Sequence, residues 1–137
     1  AQIAGFAEAC RQIMADRTRL ERTQAIKDYA LDRLKAEIPK LEVISAGDAP
    51  HICAISLPGY PSQVVVRWLS DRGFCVSSGS ACHRGKASHV YAAMHLSKGV
   101  RDGVLRISFG PENTRQEVDQ LAQALLEATR DLVPARG

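Results

Sequence analysis

Apolar residues recur at three- and four-residue intervals from the start of the chain. Ile3, Phe6, Ala7, Cys10, Ile13 and Met14 fall on one face of a helix. The stripe fades across Asp16 to Thr23, where charged positions dominate, and resumes at Ile26, Ala30, Leu34 and Ile38. One long helix over residues 2–37 that crosses a gap between contacts, or two helices meeting at a kink, both satisfy this pattern. Pro39 ends it, because proline has no amide hydrogen to continue the ladder.

The pattern then changes period. Leu41 to Ile44 is a short strand candidate, followed by a turn at Gly47, Asp48 and Pro50. His51 to Leu57 is a stronger strand, rich in β-branched and small apolar residues, and Pro58, Gly59 and Pro61 break it. Ser62 can cap a helix over Gln63 to Arg72 whose buried face is Val65, Trp68 and Leu69, with Gly73 as its C-terminal residue. Phe74 to Val76 predicts another strand. Ser88 reads as the N-cap of a short helix, His89 to His95, and Ser97 to Asp102 as a loop. Val104 to Phe109 alternates, with Leu105, Ile107 and Phe109 on one side and Arg106 and Ser108 on the other. Thr114-Arg115-Gln116-Glu117 is a capping box for a last helix with a stripe of Val118, Leu121, Ala122, Leu125, Leu126 and Leu132. These elements predict an α+β fold. We expect a small, mainly antiparallel sheet of three to four strands with helices packed on one face, and a long N-terminal helix.

Composition narrows the picture. A chain of 137 residues, 45% apolar and 24% charged, forms one globular domain with a real core. A net charge of +3 does not by itself imply nucleic acid or a membrane surface as partner, and no run approaches a membrane span. The chain begins with Ala and enters a helical pattern at once, with no signal segment ahead of it, so a processed product or an excised fragment is expected. Cysteines stand at 10, 53, 75 and 82, and none is paired as C-x-x-C. Cys10 on a helical stripe and Cys53 in a strand read as small buried hydrophobes, and this usage fits a reducing, cytoplasmic compartment.

The chemistry concentrates in Val76-Ser77-Ser78-Gly79-Ser80-Ala81-Cys82-His83-Arg84-Gly85-Lys86. Small residues leave the thiol accessible, and Arg84 and Lys86 favour the reactive thiolate. Spacing removes several alternatives. Gly79 to Gly85 encloses five residues where a phosphate loop needs four, and Ala87 stands where its hydroxyl residue belongs. A cysteine phosphatase would place arginine at Ser88. A zinc site from Cys75, Cys82, His83 and His89 matches no common spacing, so no metal is expected. A papain-like Cys82–His89 pair lacks a third orienting group, and an unreactive loop cysteine is the bland alternative.

Four blocks carry a resemblance to a family. Ser77 to Cys82, Ser88-His89-Val90 with Ala93-Met94, Leu105-Arg106-Ile107-Ser108-Phe109-Gly110, and Thr114 to Asp119 resemble, in order and spacing, the cysteine desulfurases of the class V aminotransferase group. Ile3 to Ala9 also resembles the helix that follows the family's large domain. The resemblance implies that residues 1–137 are the C-terminal small domain only, and that the cofactor-binding large domain is absent. It implies pyridoxal 5'-phosphate in the intact enzyme, with a Schiff-base lysine that is none of Lys27, Lys35, Lys40, Lys86 and Lys98. The isolated chain is therefore expected to be inactive.

By the same resemblance Cys82 is the persulfide-forming nucleophile and Arg106 binds the substrate carboxylate. His83, Arg84, Lys86 and His89 are candidate loop assistants. The implied partners are L-cysteine, converted to L-alanine, a sulfur-acceptor protein, and a second subunit in a homodimer. Selenocysteine or cystine lyases of the same group share these features. The loop, shorter and more basic than in members supplying iron–sulfur cluster biogenesis, implies a shorter reach. A free-standing sulfur carrier or interaction module of the same fold is the alternative.

Overall fold

The structure, a computed structural model, describes residues 1–78 and 89–135, the side chain of His89 excepted. The N-terminal helical stretch divides in two, α1 over Gln2–Ala15 and α2 over Arg19–Glu37. The break falls where the apolar stripe fades. There Asp16 accepts from the Thr18 hydroxyl (2.9 Å) and from Arg22 (2.8 Å), so its side chain binds locally where the helix is interrupted.

The sheet has three strands, β1 (Glu42–Ser45), β2 (Ile52–Ser56) and β3 (Val104–Ser108), antiparallel in the order β1-β2-β3. β2 pairs with β3 from Ile52↔Ser108 to Ser56↔Val104, and the β1–β2 ladder is irregular between Val43 and Ser45. Helix α3 covers Ser62–Ser70, α4 His89–Ala93, α5 Lys98–Asp102 and α6 Arg115–Asp131. One core joins Ala30, Leu31 and Leu34 of α2, Val65 and Leu69 of α3, and Val118, Leu121 and Leu125 of α6. Cys53, Ile55, Leu105 and Ile107, alternate positions of β2 and β3, face it. The expected α+β architecture, with helices packed on one sheet face, stands.

Local chemistry sets the boundaries. Gly73 takes φ +86° after α3 while the Phe74 amide donates to the Leu69 carbonyl (3.0 Å), which closes that helix. The capping box of α6 forms as expected, with Glu117 accepting from the Thr114 amide (2.7 Å) and the Thr114 hydroxyl accepting from the Glu117 amide (3.2 Å). Tyr29 and Arg33 donate to Asp119 at 2.7 and 2.9 Å and tie α2 to α6. Gly103 is required by space: a Cβ there would collide with the Leu57 carbonyl.

Three expectations are corrected. Ser97 to Asp102 is not all loop: Lys98–Asp102 forms the short helix α5, capped by the Ser97 hydroxyl, which accepts from Val100 N–H. Five residues including Gly99 are too few to show a helical period. Phe74 to Val76 does not form a strand. Among its described residues the segment meets β3 at Ser77, where the Ser77 amide donates to the Arg106 carbonyl (3.1 Å) and the Arg106 amide donates to the Ser77 carbonyl (2.6 Å). Helix α1 buries none of its residues, and Ile3, Phe6 and Met14 are 86%, 73% and 75% exposed. Cys10, expected to be buried there, is only half-buried, because the stripe that carries it is covered by none of the described residues.

Candidate functional site

Arg106 sits in the middle of β3, directly opposite Ala54 of β2. Its neighbours Leu105 and Ile107 point into the core, so alternation sends its side chain to the other face of the sheet. There it is half-buried, and no carboxylate pairs with it among the described residues. Its backbone is bonded on the outer edge to Ser77, and Cys82 follows five positions later in the sequence. The structure thus joins the strand carrying Arg106 to the root of the segment carrying the expected nucleophile. Cys82, His83, Arg84 and Lys86 lie outside the described residues. His89 begins α4, and its side chain also lies outside them.

Below Ser77 the chain diverges from β3 and opens a cleft of about 400 Å³. Phe74, Cys75 and Val76 form one wall, Ile107, Ser108 and Phe109 a second, and the first turns of α6 the third. Glu117 lines this cleft, but its carboxylate is committed to the helix. The Thr114 amide first, and the Asn113 side chain second, hold its pKa below the ordinary carboxylate value. Arg72 stacks 3.5 Å from the Trp68 ring centroid, and the indole N–H donates to the Ala124 carbonyl (3.2 Å). The polar groups around the cleft serve packing and capping more than catalysis.

The three described cysteines differ sharply. Cys75 is exposed on the cleft wall and Cys10 half-buried. Cys53 is buried in β2, and loss of solvent pushes its thiol up to about 11, offset in part by the charge of Lys27. At neutral pH it is a protonated hydrophobe. Alkylation of the native chain with iodoacetamide is therefore expected to modify Cys82 first and Cys53 only on unfolding, read by peptide mapping over time. Cys53 or Cys10 reacting ahead of Cys82 would contradict the accessible-loop reading. Among the described residues, no cluster of three or more His, Cys, Asp or Glu could hold a metal ion. No described helix is long and apolar enough to cross a membrane.

Sequence reasoning missed two features. The pairing of Ser77 with Arg106 is long-range and has no local signal. Lys27 is 1% exposed, and its ammonium donates to the carbonyls of Gly47 and Ala49 (both 2.9 Å) and of Ala46. Its signal was present: Lys27 shares the helical stripe of Thr23, Ala30, Leu31 and Leu34, all buried.

Comparisons with known proteins bear on the family and the fold. The Aminotransferase class-V family model matches residues 1–121. A NifS/IcsS protein homolog of Lactobacillus delbrueckii subsp. bulgaricus is 31% identical, over 93% of this chain and 34% of its own length. A putative cysteine desulfurase IscS 1 of Bacillus subtilis is 32% identical, over 95% of this chain and 36% of its own. The X-ray structure of a NifS-like protein from Rickettsia africae superposes with a TM-score of 0.72 at 21% identity, covering 83% of this chain and 30% of that one, and supports the fold. The chain spans about a third of the length of the curated relatives it matches.

Proposed function

The chain belongs to the class-V aminotransferase family, and on that premise we propose that residues 1–137 are the C-terminal small domain of a cysteine desulfurase. The observation that carries the proposal is Arg106. It is half-buried on the sheet face opposite the core, has no carboxylate partner among the described residues, and is bonded through its backbone to the segment leading to Cys82. A planar fork of donors with no carboxylate partner among the described residues suits the carboxylate of an amino-acid substrate.

The net reaction is Cys82–SH plus L-cysteine giving Cys82–S–SH plus L-alanine. The carbon–sulfur bond of the substrate breaks, a sulfur–sulfur bond forms on Cys82, and the thiol proton is balanced by the C–H bond gained by the product. Arg106 holds the substrate carboxylate. Arg84 and Lys86 favour the thiolate of Cys82, and His83 and His89 are candidates for moving its proton. The persulfide then passes to an acceptor protein. Substrate, acceptor and a homodimeric intact enzyme are part of the proposal, as is a cytoplasmic setting that keeps Cys82 reduced.

Breaking that carbon–sulfur bond takes an electron sink, which pyridoxal phosphate supplies in such enzymes. The described residues do not fit that cofactor. The ammonium of Lys27 is spent on three loop carbonyls, Lys98 lies 3.7 Å from Asp102, and Lys35 and Lys40 are exposed on the surface. The cofactor would therefore belong to another part of a longer protein, and this chain alone is expected to be inactive. The unburied apolar stripe of α1 supports that reading, since Ile3, Phe6 and Met14 would rest on such a part.

Replacing Arg106 with Gln in the intact enzyme tests the anchor. It is expected to weaken L-cysteine binding on the order of 30-fold, the worth of a charge-assisted hydrogen bond. The thermal midpoint should hardly move, because the side chain is not in the core. A change in substrate affinity below twofold would remove Arg106 from the role.

A further inference from the structure

We infer that Asp16, acting through Thr18 and Arg22, is a conformational lock that keeps the N-terminal helical stretch broken and so sets the direction of α1. Between Ile13 and Thr23 the sequence holds neither Gly nor Pro, and Ala15, Arg17, Arg19, Leu20 and Glu21 are good helix formers. A continuous helix would bond the amides of residues 17–21 to the carbonyls four positions earlier, and none of those bonds is made. The α1 ladder closes with the Asp16 amide on the Gln12 carbonyl (3.2 Å), and the α2 ladder opens with the Arg22 amide on the Thr18 carbonyl (2.9 Å). Side chains span the gap. The Asp16 carboxylate accepts from the Thr18 amide (3.2 Å), the Thr18 hydroxyl (2.9 Å), and Nη1 and Nη2 of Arg22 (3.2 and 2.8 Å). Arg22 also donates to the Thr18 hydroxyl (2.8 Å), which closes the clasp.

An exposed ion pair contributes little by itself. Here it acts with a cap on a narrow balance between two backbone arrangements. Asp and Thr are weak helix formers in an interior and strong caps at an end, because their short side chains bind nearby backbone groups. The two weak positions of this stretch are the two that build the clasp. The consequence is directional. Helix α2 is fixed in the core through Ala30, Leu31 and Leu34, whereas α1 buries none of its residues. At about 100° per residue, a fused helix would set the stripe of Ile3, Phe6, Ile13 and Met14 roughly a third of a turn round from the buried face of α2. The break releases the stripe from that phase, and the clasp fixes another. Any body resting on α1 therefore takes its orientation toward the sheet from three exposed side chains.

The test is amide hydrogen exchange in the intact protein, read by mass spectrometry on peptides covering residues 15–22 and corrected for intrinsic rates. In the parent these amides are expected to exchange with little protection, since the helix ladder omits them. Combining Asp16→Ala with Thr18→Ala removes the clasp and leaves a strongly helical sequence. Protection of residues 17–21 is then expected to rise about fivefold or more, because the two helices fuse. Removing side-chain contacts ordinarily loosens a segment, so a gain in protection is a signature that mere bracing would not give. Combining Asp16→Asn with Thr18→Ser keeps a capping oxygen and a hydroxyl, and is expected to exchange like the parent. A rise below about fivefold in the alanine variant, or a fall, overturns the inference. So does an equal rise in the Asn and Ser variant. Cys82 and Arg106 take no part in this measurement, so its failure leaves the desulfurase reading untouched, and failure of that reading leaves the lock standing.

Discussion

Cys82→Ser in the intact enzyme is expected to abolish persulfide formation from L-cysteine while leaving cofactor and substrate bound. The substitution changes one atom and keeps nearly the same volume, so folding should be indifferent to it. The chemistry is not. A thiolate is the nucleophile that attacks sulfur, and the proposal gives Arg84 and Lys86, close to Cys82 in sequence, the role of favouring it. A serine hydroxyl gives almost no alkoxide at neutral pH, and its oxygen cannot carry a persulfide. Arg106 remains, so the dissociation constant of L-cysteine should change by less than about twofold. Single-turnover product analysis checks the outcome, and persulfide above about a tenth of the parent level would contradict the role of Cys82.

The largest expected effect on stability belongs to Lys27→Met, at about 3 kcal/mol lost. The ammonium is buried and donates to Ala46, Gly47 and Ala49, three carbonyls of the turn between β1 and β2. Methionine fills a similar volume but donates nothing. Each part-buried hydrogen bond from the charged donor contributes about 1.5–3 kcal/mol, water recovers part of it at the more exposed carbonyls, and relief of the ammonium's own desolvation returns a further part. The turn would open to water or shift, and the edge strand β1 would loosen with it. Urea unfolding followed by circular dichroism measures the change. A loss below about 1 kcal/mol would mean that water already serves those carbonyls.

What the sequence made legible follows the range of the interaction. β2 and β3 were readable because alternation records which sheet face is buried, and the separation of Arg106 from Leu105 and Ile107 came from that alone. The capping box at Thr114 and Glu117 and the helix end at Gly73 are local and were equally plain. Helix α1 was visible as an amphipathic stripe, but a stripe does not say what covers it, and here none of the described residues does. Phe74 to Val76 has strand-like residues, yet a strand exists only by its partner, and among the described residues of this segment only Ser77 pairs with β3. The burial of Lys27 went unread because a charged residue on a helix usually faces water. Its place on the buried stripe argued otherwise.

The site was legible in the same uneven way. Arg106 could be placed by period, and its lack of a carboxylate partner among the described residues needed coordinates. Cys82 stood out through its small and basic neighbours, and its role rests on chemistry and resemblance. The proposed function requires that this domain receive sulfur on that one cysteine. Its most direct test is peptide mass mapping of the intact enzyme after brief exposure to L-cysteine and trapping with a thiol-blocking reagent. The added mass of one sulfur atom is expected on the peptide containing Cys82, and none on those of Cys10, Cys53 or Cys75. Added sulfur on Cys75 or Cys10 with Cys82 unchanged would contradict it.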